Sequence, residues 1–269
     1  MRSRTLAIGC VLVSVVAVTA LLSLFWTPYD PADTTGGRLE PPGGPHWLGT
    51  DTLGRDLLTQ LMIGARIALA AGVGAVAVGG SLGLAAGLLA GFAVRWFDDA
   101  LAVVLDILIA FPTLLLAMLV IAGRHGSLLA AVTAIGLAMS AVVARLVRVL
   151  VKRVLAQDYI TAARTSGTSW PRIALGHVLP NIWPTLATNL ALQLGLAALA
   201  EASLSYLGLG APPPNASWGR MLNEAQATAF TAPAGVIAPG VLLAVLVIGV
   251  NLAADGIREV ADPTLRRRA

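Results

Sequence analysis

Charge is scarce in this chain. Only 12% of its 269 residues are Asp, Glu, Lys or Arg, while 57% are hydrophobic and the mean hydropathy is +0.81; an average soluble domain carries roughly 25% charge. That balance excludes an ordinary water-soluble domain and implies a membrane protein. Cysteine occurs once, at Cys10, which excludes an intramolecular disulfide and any cysteine-based metal cluster. His46, His125 and His177 stand far apart, with no metal-ligand spacing between them. Lysine also occurs once, at Lys152, with no glycine-rich loop ahead of it, so the phosphate cradle of a nucleotide hydrolase is missing. No nucleophile elbow and no zinc-binding H-E-x-x-H helix is expected either. The composition therefore predicts a chain without catalytic equipment or a cofactor of its own.

What the chain has in abundance is long apolar runs. Six are long enough to cross a hydrocarbon core, which takes about 20 helical residues: 5–25, 67–91, 100–122, 127–144, 182–207 and 235–254. None alternates with the period of two that a membrane barrel needs. An all-α membrane protein of six transmembrane helices is predicted. The first run follows Arg2 and Arg4, and Val18-Thr19-Ala20 would pass as a cleavage site, but the apolar stretch continues to Phe25, longer than a secretory signal core, so it reads as a retained helix.

Where the charges lie fixes an orientation. With both termini in the cytoplasm, five of the eighteen Lys and Arg fall outside (Arg38, Arg55, Arg66, Arg124 and Arg220) and thirteen inside. This asymmetry obeys the positive-inside rule. The basic pI of about 10 is thus an orientation signal, with no nucleic-acid partner implied, and the Arg266–Arg268 end suits anionic lipid. The expected organisation is a first helix (1–25), an extracytoplasmic segment (26–66), a core (67–260) interrupted by a cytoplasmic loop (145–181), and a basic tail (261–269). In the extracytoplasmic segment, Asp51 or Thr52 is placed to cap an interfacial helix leading into the second span. Gly79, Gly83, Gly87 and Gly91 form one smooth stripe on that span, for packing within the chain or against a partner subunit or pore.

The polar loop carries its own punctuation. Residues 157–166 read as a short helix stopped by Gly167, the residue type that best takes the left-handed conformation past a helix end. Ser169 is placed to cap a second helix with Pro171 in its first turn. Within the spans, Asp106 is expected to pair with Arg145 or Arg148. Asn189, Gln193 and Glu201 make a polar stripe on the fifth span, lining a path or bonding neighbouring helices. Asn251 and Asp255 read as interfacial or paired.

Residues 158–181 resemble the EAA loop of ATP-binding-cassette importer permeases. Ala162-Ala163, Gly167 after three residues, and Leu179-Pro180 stand at the required distances; Thr161 and His177 stand where that pattern has glutamate and isoleucine. HWLGTDTLGRD (46–56), DILIAFPTLLLA (106–117), HVLPN (177–181) and EASLSYLGLGAPPPNASWG (201–219) look like the C-type permease subunit of dipeptide, oligopeptide and nickel importers. The resemblance implies the type I importer permease fold and a second, related permease. It also implies two ATPase subunits that use ATP and Mg²⁺, and an extracytoplasmic binding protein, all in a cell membrane. It assigns the ATPase-coupling role to Asp158, Tyr159, Ala162, Ala163, Arg164, Gly167, Pro171, His177, Leu179 and Pro180. Peptide, nickel and glutathione all remain open as cargo. A self-sufficient secondary transporter or channel is the alternative, which would call for inverted repeats with interrupted helices.

Overall fold

A computed structural model describes residues 4–121, 127–212 and 215–261, with side chains to 259. The turn at Arg124 and His125 and the tail beyond residue 261 lie outside the described residues. Among the described residues ten α-helices follow one another: α1 Arg4–Phe25, α2 Leu57–Phe92, α3 Arg95–Ala110, α4 Thr113–Ile121, α5 Leu128–Leu155, α6 Asp158–Thr165, α7 Trp170–Ile173, α8 Leu179–Tyr206, α9 Trp218–Ala225 and α10 Ala234–Ala261. Among the described residues five stretches are long and apolar enough to span a membrane, and α3 with α4 makes a sixth if the bent pair is one span.

That bend corrects the straight third span expected over 100–122. The axis turns by 91° between α3 and α4, at Phe111-Pro112. Proline has no amide hydrogen to give the helix, and it forces the residue before it out of the helical region; Phe111 accordingly sits at φ −78°, ψ 132°. Continuous apolarity hid the break.

The second span also differs from expectation. Neither Asp51 nor Thr52 caps its helix; Asp56 does, its Oδ2 accepting from the Thr59 amide at 2.8 Å. From there α2 runs unbroken for 36 residues, about 54 Å at 1.5 Å per residue, well beyond the ~30 Å hydrocarbon core. Its first turns are buried in protein rather than lying in the headgroup layer, from Leu57 and Thr59 through Ala65.

The glycine stripe explains the central seam. A Cβ added at Gly79 would meet the Gly136 carbonyl at 2.7 Å, and one at Gly83 or Gly87 would meet the Cβ of Val143 or Val147 at 2.5 Å. Gly91 faces Val151 in the same row, and Gly136 returns the arrangement beneath Val78. So α2 and α5 approach backbone to backbone, the geometry that small residues permit in an apolar solvent. Within this seam Gly79-Gly80-Ser81-Leu82-Gly83 spells the letters of a G-x-S-x-G motif, which the expectation of no nucleophile elbow overlooked. It is no elbow: the run lies mid-helix, and Ser81 Oγ donates to the Val78 carbonyl at 3.0 Å. A second small-residue contact joins α1 to α10, where Gly9 meets the backbone at Gly249 and Ala253, and Gly249 meets Leu12.

Helix α5 does not stop at residue 144. It continues through Arg145, Arg148 and Lys152 because acidic groups on α3 receive them. Arg145 lies 3.2 Å from Asp106, both side chains more than half exposed. Arg148 holds Asp98 with Nε at 2.5 Å and Nη2 at 3.0 Å, and Lys152 bonds the same carboxylate.

Candidate coupling site and buried polar groups

At the end of α5 the chain turns into a folded elbow. Helix α6 spans Asp158–Thr165. Its last carbonyls are closed by the amides of Gly167, bonding Arg164 at 2.9 Å, and Thr168, bonding Ala163 at 3.0 Å. This closure requires a left-handed residue, and Gly167 has φ +82°. Helix α7 follows with Pro171 in its first turn; Ser169 stands at the capping position, but its side chain makes no capping bond, contrary to expectation. Residues Ala174–Val178 then form a π-helical turn that feeds directly into α8. The carbonyl of His177 in this turn accepts from Asn181 Nδ2 at 2.7 Å. Leu179 and Pro180 therefore lie in the first turn of α8, with no loop separating them from the elbow.

The elbow has two faces. Ile160, Ile173 and Val178 are at most 1% exposed and pack into one apolar cluster with Val143, Val147, Val151, Ile182 and Leu186. These three pegs tie the elbow to α5 and α8. Sequence reasoning missed them, although an isolated isoleucine in a polar eight-residue helix was their available signal. The opposite face is open: Asp158, Tyr159, Thr161, Ala162, Arg164, Gly167 and Pro171 are exposed, and Ala163 and His177 are half-buried. Aromatic contacts stiffen the corner. The Arg164 guanidinium lies 4.3 Å over the Trp170 ring, a cation–π pairing, and Trp170 meets Phe92 edge-on at 5.6 Å. The rings of Tyr159 and His177 lie 6.2 Å apart. A short, braced element with an exposed face of small and polar side chains is suited to seat in another protein and to transmit force without buckling.

On α8 the three polar residues part company. Glu201 is 1% exposed and receives the Ser205 hydroxyl at 2.6 Å, one turn along its own helix. Gln193 is buried as well, and Asn189 Oδ1 is buried with no hydrogen-bond partner. Asn251 and Asp255 are exposed. Among the described residues no three His, Cys, Asp or Glu side chains group to hold a metal ion.

At the other end of the bundle, two of the quoted motifs, 46–56 and 201–219, are tied down mainly through residues that flank them. Trp218 is 1% exposed; its indole N–H donates to the Leu61 carbonyl at 3.1 Å, and its ring covers Gly64. Gly219 sits against the Ala202 backbone, where no side chain fits. Arg55 bonds Asp51 and Glu224, each at 2.6 Å, and Arg220 bonds Glu224 at 2.7 Å. Burial works against the Arg55 charge, but the two carboxylates outweigh it and hold its pKa above the ordinary value. His46 Nδ1 lies 3.0 Å from Asp56 Oδ1, beneath the Tyr29 ring.

The pattern of this chain recurs in known proteins. A sequence profile described as binding-protein-dependent transport system inner membrane component matches residues 83–267, which include the whole elbow and α8. The chain is 34% identical over 266 residues to the dipeptide transport system permease protein DppC of Alkalihalophilus pseudofirmus, covering 98% of this chain and 88% of that one. It is 39% identical over 250 residues to the glutathione transport system permease protein GsiD of Pectobacterium atrosepticum, covering 90% and 82%. In fold it is similar to a chain of the MetNI methionine ABC transporter in inward-facing conformations, with a TM-score of 0.63 and 21% identity over 76% of this chain and 97% of that chain. The chain belongs to the family of binding-protein-dependent transport system inner membrane components.

Proposed function

We propose that this chain is one permease subunit of an ATP-driven importer for short peptides or glutathione. The relatives named above carry those cargoes in their names. It forms half of the translocation path and a second, related permease forms the other half. Both termini and the elbow face the cytoplasm, as the charge asymmetry supports. There α6 seats in a partner ATPase, and ATP and Mg²⁺ are used by the two ATPase subunits. The opposite end, built from residues 26–56 and 208–233, receives the substrate-loaded binding protein. Transport is alternating access: ATP-dependent closure of the ATPases moves the elbow and biases a two-state bundle. Asn189 and Gln193 belong to the cargo path, where a carboxamide oxygen with no internal partner suits the amide hydrogens of a peptide. Glu201 serves packing, through Ser205.

The observation that carries this reading is the elbow's division into a buried peg face and an exposed docking face. Ala162→Asp and Ala163→Asp place charge on the docking face without touching the pegs. With the complete importer in vesicles, both are expected to abolish uptake of a labelled dipeptide or glutathione and to loosen the ATPase during purification; Gly167→Pro, which forbids φ +82°, should do the same. Native uptake with native ATPase retention in these variants would overturn the assignment. So would uptake by the chain reconstituted alone on an ion gradient.

A further inference from the structure

Helix α3 is thinly attached. Of its sixteen residues only Asp98 and Leu105 are buried, and Trp96, Val103, Val104 and Ile107 are at least half exposed. Leu105 packs against Ala141 and Ala144 of α5, with Leu101, Leu108 and Ile109 of α3 and Ala86 of α2 only partly buried around them. A buried carboxylate is costly unless fully paired. Asp98 is paired twice, to Arg148 and Lys152, which stand one helical turn apart on one face of α5. Those two residues lie in the last two turns before the elbow. A second connection reaches the same place, since Trp170 of α7 abuts Phe92, six residues before Asp98. Beyond Asp98, α3 is an uninterrupted helix to Ala110, where the chain breaks by 91° into α4. Helix α4 in turn packs against α5 and α8 through Ala117 and Ile121.

From this arrangement we infer that Asp98 is a positioning residue for the transport stroke: its double ion pair clasps α3 to the end of α5, so that elbow movement swings α3 about Phe111-Pro112. The inference rests on the proposed ATPase-coupled function. A broken helix held at its far end by a charge cluster behaves as a lever, whereas α3 without the clasp would be anchored only further along, by the apolar row Leu101, Leu105, Leu108 and Ile109 and the exposed Asp106–Arg145 pair. The exposed pair is worth little in a screened environment. The clasp decides whether the elbow and the broken span move as one body.

The test uses the complete importer in vesicles, with Cys10 replaced by serine and spin labels at Val104 of α3 and Leu119 of α4, on the two arms of the bend and both exposed. ATP with vanadate should change the label separation in the otherwise native assembly. Asp98→Asn is expected to remove that change and to lower labelled-dipeptide uptake roughly tenfold, because one partner of a buried pair is lost. ATPase retention should persist, with more ATP hydrolysed per peptide moved. Asp98→Glu, which keeps the charge, should restore most of both readouts. If Asp98→Asn fails to assemble, Arg148→Gln supplies a milder comparison, since Lys152 still holds the carboxylate, and a partial loss of both readouts is expected. A native label change and native uptake in Asp98→Asn, or in Arg148→Gln where it stands in for that variant, overturn the inference. So does a loss of uptake at an unchanged ratio of ATP to peptide, which a merely structural role would give. An assembly with native Asp98 that retains no ATPase refutes the proposed function instead, so the two failures read differently.

Discussion

At the end of the bundle that carries residues 26–56, 208–212 and 215–233, side-chain bonds spanning ten residues or more are buried or half-buried: Trp218 reaches Leu61, Arg55 reaches Glu224, and His46 reaches Asp56. At the elbow end, apolar pegs hold the fold from beneath and the outward side chains make few bonds beyond their own turn. Each design suits a different mechanical task. An end sewn together by directional bonds keeps one shape, as a receiving surface must. An end held by non-directional packing, with its polar face unspent, keeps its shape while leaving that face free for another protein. Substitutions that hit stability and transport in different proportions would sharpen the contrast, and substitutions that hit both ends alike would break it.

The largest effect is expected from Trp218→Ala. The side chain is buried over Gly64 and donates to a backbone carbonyl, so its removal leaves a cavity and takes a second donor from a carbonyl that keeps its bond within α2. Truncations of this size cost about 3–5 kcal/mol. Thermal unfolding in detergent should register a large drop, and uptake should fall only as far as folded protein is lost. A variant that unfolds normally would mean that this end is not sewn as described.

An intermediate effect is expected from Ile160→Ala, which pulls one peg from the elbow. The loss is about 2–3 kcal/mol on the scale of buried Ile truncations, and it is local, because the α2–α5 seam is untouched. Uptake should fall further than the unfolding temperature suggests, since a loosened elbow transmits less. Uptake that merely tracks the amount of folded protein would show that the pegs serve stability and nothing else.

How much of this was legible in the sequence follows from the range of each interaction. Five of the six spans announced themselves, because the length of an apolar run is a local property. The elbow's Gly167 stop was legible for the same reason, the closing bonds spanning no more than five residues. The 91° bend was legible in principle at Pro112 and was masked by the apolar residues on both sides. What no local pattern contains is which distant residue answers a charge. Asp98 and Arg148 are 50 residues apart and Trp218 and Leu61 are 157; each partner alone looks like an interfacial residue. Asp106 lies beside Arg145, one of the two partners expected for it, but the buried acid is Asp98, eight residues earlier on α3 and paired with Arg148 and Lys152.

The smallest effect on stability, and the most telling one, is expected from Tyr159→Ala. Tyr159 neighbours the buried Ile160 but points outward, 45% exposed, with the His177 ring as its one aromatic neighbour. Substitutions at such a site change stability by no more than about 0.5 kcal/mol, so unfolding should be native within error. Uptake and ATPase retention should nonetheless fall, because the lost ring is part of the surface a partner would cover. Adjacent residues on one helix would then divide the two roles, Ile160 holding the elbow and Tyr159 offering it. Were Tyr159→Ala to leave uptake and retention untouched, the docking face would have to be narrowed to Ala162, Ala163 and the turn at Gly167.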